Sequence, residues 1–151
     1  MRVAVDTNVL AYAENVDTDE RRDQALDVLR RLPRADVVLP VQVLGELFNV
    51  LTRKARRPRP SARDALLSWR DTFGVVETTS EIMVMAADLA ADHSVSIWDA
   101  VIISAASSAQ CRLLLTEDLQ EGFTWGGVTV TNPFSATRHP LLESLLGDRT
   151  S

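Results

Sequence analysis

Five acidic residues, at four places in the chain, stand where a carboxylate could do chemistry. Asp6 closes the apolar run "RVAV", and Glu117 and Asp118 follow "RLLLT". In parallel α/β sheets ligands bind beyond the carboxyl ends of the strands, so acids at two such ends would share one sheet edge if the strands are parallel. Asp99 stands three residues after Ser96 in "SIWD", a spacing that resembles a capping box with Asp in place of Glu. It would occupy the first turn of a helix, where the dipole and free N–H groups favour negative charge. Glu46 lies within "VQVLGELFNVLTRKARR", roughly 200° round the helix from Leu44, on a polar face with Gln42, Asn49 and Arg53.

Singly, each acid has an ordinary explanation. Asp is common in turns and caps, and Glu46 beside Arg53 suits a solvated helix face. The ordered set says more: strand end, helix face, helix start, strand end. Carboxylates brought within ~4–6 Å raise one another's pKa, and a divalent cation removes that penalty. An all-oxygen ligand set selects Mg²⁺ or Mn²⁺ over zinc. Gly45, next to Glu46, costs roughly 1 kcal/mol against alanine in a helix, which leads us to expect a close backbone approach there.

Other chemistries find less support. His93 and His139 match no metal spacing and read as surface or loop residues. There is no Gly-rich phosphate loop and no Gly-x-Ser-x-Gly elbow. Cys111 is the single cysteine, so it forms no internal disulfide and reads as a buried, inert thiol. Trp69, Trp98 and Trp125 suit packing, with Trp98 placed to wall the acidic site.

The elements that must position these acids can be read from periodicity and breakers. "RVAV", "ADVVLP", "GVVET", "RLLLT" and "VTVTN" read as strands. "DERRDQALDVLRRL" reads as a helix stopped by Pro33, and the Glu46 helix starts at Pro40 and is stopped by "PRP". "SARDALLSWRDTF" reads as a helix capped by Ser61, followed by helices in "SEIMVMAADLAADH" and, capped by Ser96, in "SVSIWDAVIISAASSAQC". "EDLQEGFTWGGV" reads as a loop with a turn at "TWGG". "PLLESLLG" reads as a small terminal helix that could dock on the body or on a second subunit. Apolar strands alternating with helices imply an α/β fold with a mostly parallel sheet.

The chain of 151 residues, 46% hydrophobic and 25% charged, suits one globular domain. No apolar stretch is long enough to span a bilayer. The start "MRVAVD" has no signal-type apolar region, and with the lone cysteine this leads to an expected cytoplasmic location. The net charge of −5 would argue against nucleic acid. The positive charge is concentrated, however: Arg53, Lys54, Arg56, Arg57, Arg59 and Arg63 make up six of the 16 basic residues, with no acid among them. That cluster could bind phosphates or serve solubility.

"VAVDTNVL", the helical Glu46, "SIWDAVIISAA" and "LLLTEDL" followed by "VTVTNPF" together resemble the PIN-domain family, and most closely the VapC-type ribonuclease toxins of toxin–antitoxin pairs. The resemblance runs from Arg2 to about Phe134. It implies a three-layer α/β/α sandwich over residues 1–134, with 135–151 as a C-terminal tail. It implies a Mg²⁺- or Mn²⁺-dependent endoribonuclease leaving 5′ phosphate and 3′ hydroxyl ends. Carried onto this chain, the resemblance makes Asp6, Glu46, Asp99 and Asp118 the catalytic and metal-binding quartet. Asn8, Thr116 and Glu117 would support them, with Asp118 favoured over Glu117 to face the metal. Arg53, Lys54, Arg56 and Arg57 would bind RNA. A small antitoxin partner is implied, and dimerisation is left open. Rival readings fit less well. An Asp-nucleophile phosphatase wants a second acid where Asn8 stands. A receiver module wants a late lysine, and Lys54 is the only lysine. A PIN-like scaffold without activity would have little reason to keep all four acids.

Overall fold

Strands buried on both faces read as near-continuous apolar runs, and the centre of this sheet shows it. The computed structural model describes residues 1–147; residues 148–151 of the expected tail lie outside the described residues. The strands are β1 (Arg2–Val5), β2 (Val37–Pro40), β3 (Gly74–Val76), β4 (Cys111–Leu115), β5 (Thr124–Trp125) and β6 (Val128–Thr131). They form one sheet of order β3-β2-β1-β4-β6-β5, parallel throughout except for the β5–β6 pair. Val3, Ala4 and Val5 of β1 and Leu113, Leu114 and Leu115 of β4 are wholly buried.

The helices are α1 (Thr7–Ala13), α2 (Asp19–Arg31), α3 (Val41–Arg53), α4 (Arg59–Thr72), α5 (Ser80–Asp92), α6 (Ile97–Ser108) and α7 (Pro140–Leu146). From β1 the chain steps outward through β2 to β3, then returns across the sheet to β4. Parallel crossovers are right-handed, so this reversal puts α1 to α4 on one face and α5 and α6 on the other. The packing follows: α1 lies against α2 and α3, α3 against α4, and α5 against α6. The expected α/β/α sandwich is the fold observed. The reversal also opens a crevice between β1 and β4, the switch point at which such folds bind ligands.

Several local expectations need correction. The residues after Asp6, to which periodicity assigns no element, begin α1, with Asp6 as its N-cap. A strand end feeding straight into a seven-residue helix carries too little periodicity to be recognised. α3 ends at Arg53 rather than at Arg57, because Arg56 adopts a left-handed conformation (φ 52°) and the Arg57 N–H closes on Leu51 O at 2.9 Å. α4 starts at Arg59 with Pro58 as N-cap, so Ser61 is inside the helix and caps nothing. "TWGG" is indeed a turn, but Thr124 and Trp125 are a strand. Gly126 and Gly127 (φ 57° and 81°) form the two-residue hairpin to β6, and two successive positive φ values favour glycine at both positions. Gly45 has nothing within 4 Å of where a Cβ would stand, so packing does not require it.

α7 packs on α2 with Leu142 and Leu146 buried, and Arg31 Nη2 donates to Gly147 O at 2.8 Å. His139 caps α7, its Nδ1 accepting from Leu141 N at 3.1 Å. Burial pushes the Cys111 thiol up to about 11. Among the described residues no helix is long and apolar enough to cross a membrane.

Candidate active site

The crevice is built from its two strand ends. Asp6 N donates to Leu115 O at 3.0 Å, which fixes Asp6 where β1 leaves the sheet. Its Oδ1 accepts from Thr7 N at 2.7 Å, so one carboxylate both caps α1 and faces the crevice. On the neighbouring strand Thr116 is wholly buried, and its N–H donates to Thr131 O at 3.1 Å. The Thr116 hydroxyl accepts from Asn8 Nδ2 at 3.0 Å and from Asp118 N at 3.2 Å. A hydroxyl has two acceptor sites and one proton. With both acceptor sites used, the proton goes to Asp6, whose carboxylate is hydrogen-bonded to Thr116.

Asn8 Nδ2 also donates to Asp118 Oδ2 at 3.0 Å. Turning the amide over would set its oxygen against that carboxylate, so the network fixes its orientation. Asn8 Oδ1 is left buried without a hydrogen-bond partner among the described residues. On α3, Thr7 Oγ1 donates to Glu46 Oε2 at 2.6 Å and Gln42 Nε2 to Glu46 Oε1 at 3.2 Å. At the start of α6, Ser96 Oγ accepts from Asp99 N at 3.2 Å, the expected cap.

Electrostatics ties the four acids together. Asp6 is only 5% exposed, and its pKa is raised to about 6. Burial is the main cause; the Thr7 N–H and Thr116 hydroxyl oppose it, while Glu46 and Asp99 add repulsion. Asp99 is also raised, by burial first and then by Glu46 and Asp118 against the Ser96 bond. Acids separated by up to 93 positions in sequence therefore sense one another at one sheet edge. Among the described residues no three of them are gathered tightly enough to ligate one ion with the side chains as they stand. Asp6 and Glu46 are each held at their carboxylates by two hydrogen bonds, whereas Asp118 is exposed and, among the described residues, its side chain accepts only from Asn8.

The donor chemistry fits a hard divalent cation. All four groups are carboxylates, and burial, with mutual repulsion added, raises two of them, an imbalance that a cation relieves.

Glu117 is turned elsewhere. It accepts from the Tyr12 hydroxyl and pairs with Arg21 Nη1 at 3.8 Å. Arg21 in turn lies over the Tyr12 and Phe134 rings, at 5.6 and 4.9 Å from their centroids. Glu117 is thus a brace between α1, α2 and the loop after β6, not a partner of the quartet. Arg57 is likewise committed: its Nη1 pairs with Glu14 Oε1 at 2.8 Å and its Nη2 donates to Glu14 O. Arg53, Lys54 and Arg56 remain exposed. Trp98 is 55% exposed beside Asp99 and turns to solvent. Thr7 and Gln42 were missed as supports of Glu46. The signal for Gln42 was there, since it precedes Glu46 by one helical turn; for Thr7 only the fold could supply it.

Comparison with known proteins gives a consistent picture. The family model described as "PIN domain" matches residues 3–121. No curated protein matches the chain by sequence. Among solved structures, the chain is similar to Mycobacterium tuberculosis VapC20, described as a sarcin-ricin-loop-cleaving toxin. The TM-score is 0.61 at 21% identity, over 74% of this chain and 86% of that one. It is similar to a toxin–antitoxin complex from Klebsiella pneumoniae, with TM-score 0.66 at 19% identity over 87% of this chain and 98% of that one. It is also similar to VapBC2 of Rickettsia felis, bound to a DNA fragment of its promoter, with TM-score 0.64 at 17% identity over 87% and 98% of the two chains. At these identities the likeness is one of fold.

Proposed function

Because the chain belongs to the PIN domain family, we propose that it is a divalent-metal-dependent endoribonuclease, and the toxin of a pair whose partner is a small antitoxin. The observation that carries the reading is the mutual electrostatic influence of Asp6, Glu46, Asp99 and Asp118 at the β1–β4 switch point. Similarity to chains solved as toxin–antitoxin complexes supports the partner.

These four residues would hold Mg²⁺ or Mn²⁺. A cation bound there supplies charge neutralisation on phosphate oxygens and a lower pKa for water. The rest is the work of the chain. Thr7 N–H and the Thr116 hydroxyl keep Asp6 aimed into the crevice. Gln42 and the Thr7 hydroxyl fix both oxygens of Glu46, and Asn8 aims Asp118. Arg53 lies two helical turns beyond Glu46 on the same face of α3, roughly 10.5 Å along the axis. With Lys54 and Arg56 it would carry the RNA backbone toward the acids. In the reaction water adds to phosphorus, the P–O3′ bond breaks, and a proton ends on the departing 3′ oxygen. Residues 1–134 would form the nuclease unit, with the tail from 135 bracing α2.

The test is cleavage of RNA with Mn²⁺ and with chelator, by the wild type and by Asp6→Asn. Cleavage only by the wild type with Mn²⁺ is expected. Cleavage that survives chelation, or equal cleavage by the variant, would sink the reading.

A further inference from the structure

A cavity of about 430 Å³ borders the acids, with Asp99 and Asp118 on its lining. His93 and Ser94, in the loop after α5, and Gln120 and Phe123, in the loop after β4, also line it. The basic stretch of α3 takes no part in it, and of the quartet only Asp99 and Asp118 line it. We propose that this cavity receives one nucleobase of the RNA strand, next to the scissile phosphate; the assignment rests on the ribonuclease reading.

Size, chemistry and rigidity converge on that ligand. The volume falls in the range of small-molecule sites and exceeds what a single base needs. The His93 and Phe123 rings meet edge to face, with centroids 5.6 Å apart and planes at 77°, and give the site an aromatic wall. Splayed RNA bases are held by aromatic side chains and by hydrogen bonds to their polar edges. Gln120 offers both a donor and an acceptor, and Ser94 a hydroxyl. Neither side chain hydrogen-bonds elsewhere within the described residues. No Lys or Arg lines the cavity, and two aspartates do. It therefore disfavours an anion and suits a neutral ring.

The Phe123 wall is also preorganised. Phe123 N donates to Gln120 O at 3.1 Å, Gly122 N to Val130 O at 2.9 Å, and Val130 N to Phe123 O at 2.8 Å. Glu121 Oε1 accepts from Asn132 N at 2.7 Å and so ties the same loop to the end of β6. Little ordering remains to oppose binding.

The experiment uses neutral nucleosides, which need no cation and no reaction. Adenosine, guanosine, cytidine and uridine are titrated into the metal-free protein while amide chemical shifts are followed. Shifts confined to residues 93–96 and 119–123 are expected with at least one of them. Phe123→Leu, which keeps apolar bulk, should weaken that binding about tenfold, as loss of one stacked base does; Phe123→Tyr should retain it. Sequencing the ends cut from a random RNA pool with Mn²⁺ should show Phe123→Leu losing a base preference beside the cut. No shift at these amides with any nucleoside, or equal binding by Phe123→Leu, would overturn the subsite. Nucleoside binding without RNA cleavage by the wild type would support the subsite and remove the nuclease. Cleavage without nucleoside binding, with cut preference unchanged in Phe123→Leu, would do the reverse.

Discussion

Asp6→Asn should stabilise the metal-free protein, and only above about pH 4. The folded-state pKa of Asp6 is raised from 3.8 to about 6, mainly by burial. A raised folded pKa means that the folded chain holds this proton more tightly than the unfolded chain. Below about pH 4 the group is protonated in both states and its stabilising contribution is fully present. As pH rises through about 6 that contribution is lost, because the fold must then keep a nearly buried carboxylate. Roughly two pKa units at 1.36 kcal/mol each set a ceiling of about 3 kcal/mol. The amide oxygen of Asn can still accept from Thr7 N–H, but its NH₂ cannot accept from Thr116. One lost hydrogen bond, about 1 kcal/mol, leaves a net gain of about 2 kcal/mol. For a chain of this size that is about 4–8 °C in Tm. Thermal melts by circular dichroism in EDTA, from about pH 4 to 8, would read it as a widening gap between variant and wild type. Adding Mn²⁺ should then raise the wild-type Tm more than that of the variant, since only the intact set binds well. Parallel Tm–pH curves in EDTA would refute the argument that burial of this carboxylate destabilises the fold.

The same geometry makes four further predictions. Thr116→Val removes the hydroxyl proton from Asp6 and an acceptor from Asn8 and Asp118 N, so the Asp6 pKa should rise further and Mn²⁺ affinity should fall, as read by carboxyl-carbon NMR titration and calorimetry. The combined alanine variant of Arg53, Lys54 and Arg56 should bind RNA more weakly, with a flatter salt slope and unchanged Tm. Arg57→Ala should instead lower stability by about 1–2 kcal/mol in a denaturant melt, because its bonds go to Glu14. Gly45→Ala should raise stability by about 1 kcal/mol, since no atom stands near the added methyl group.

The residue pattern alone dictates the alternation of buried strands and amphipathic helices, and hence the mostly parallel sheet. Solvent exclusion on both faces of β1 and β4 leaves its mark as the unbroken runs "VAV" and "LLL". It also placed Asp6 and Asp118 at strand ends and Asp99 in a capped first turn, because strand termini and caps follow local rules. Tertiary structure alone decided how the acids relate. Whether Glu117 or Asp118 joins the quartet depends on Tyr12 and Arg21, which reach Glu117 from α1 and α2. Whether Arg57 is free for RNA depends on Glu14, 43 residues earlier in the chain. The cavity beside Asp99 arises where two loops distant in sequence meet, so no window of residues could reveal it. Periodicity and capping act over a few residues and are written into the sequence. Charge pairing and cavity shape depend on distances through space, which the packed sheet sets.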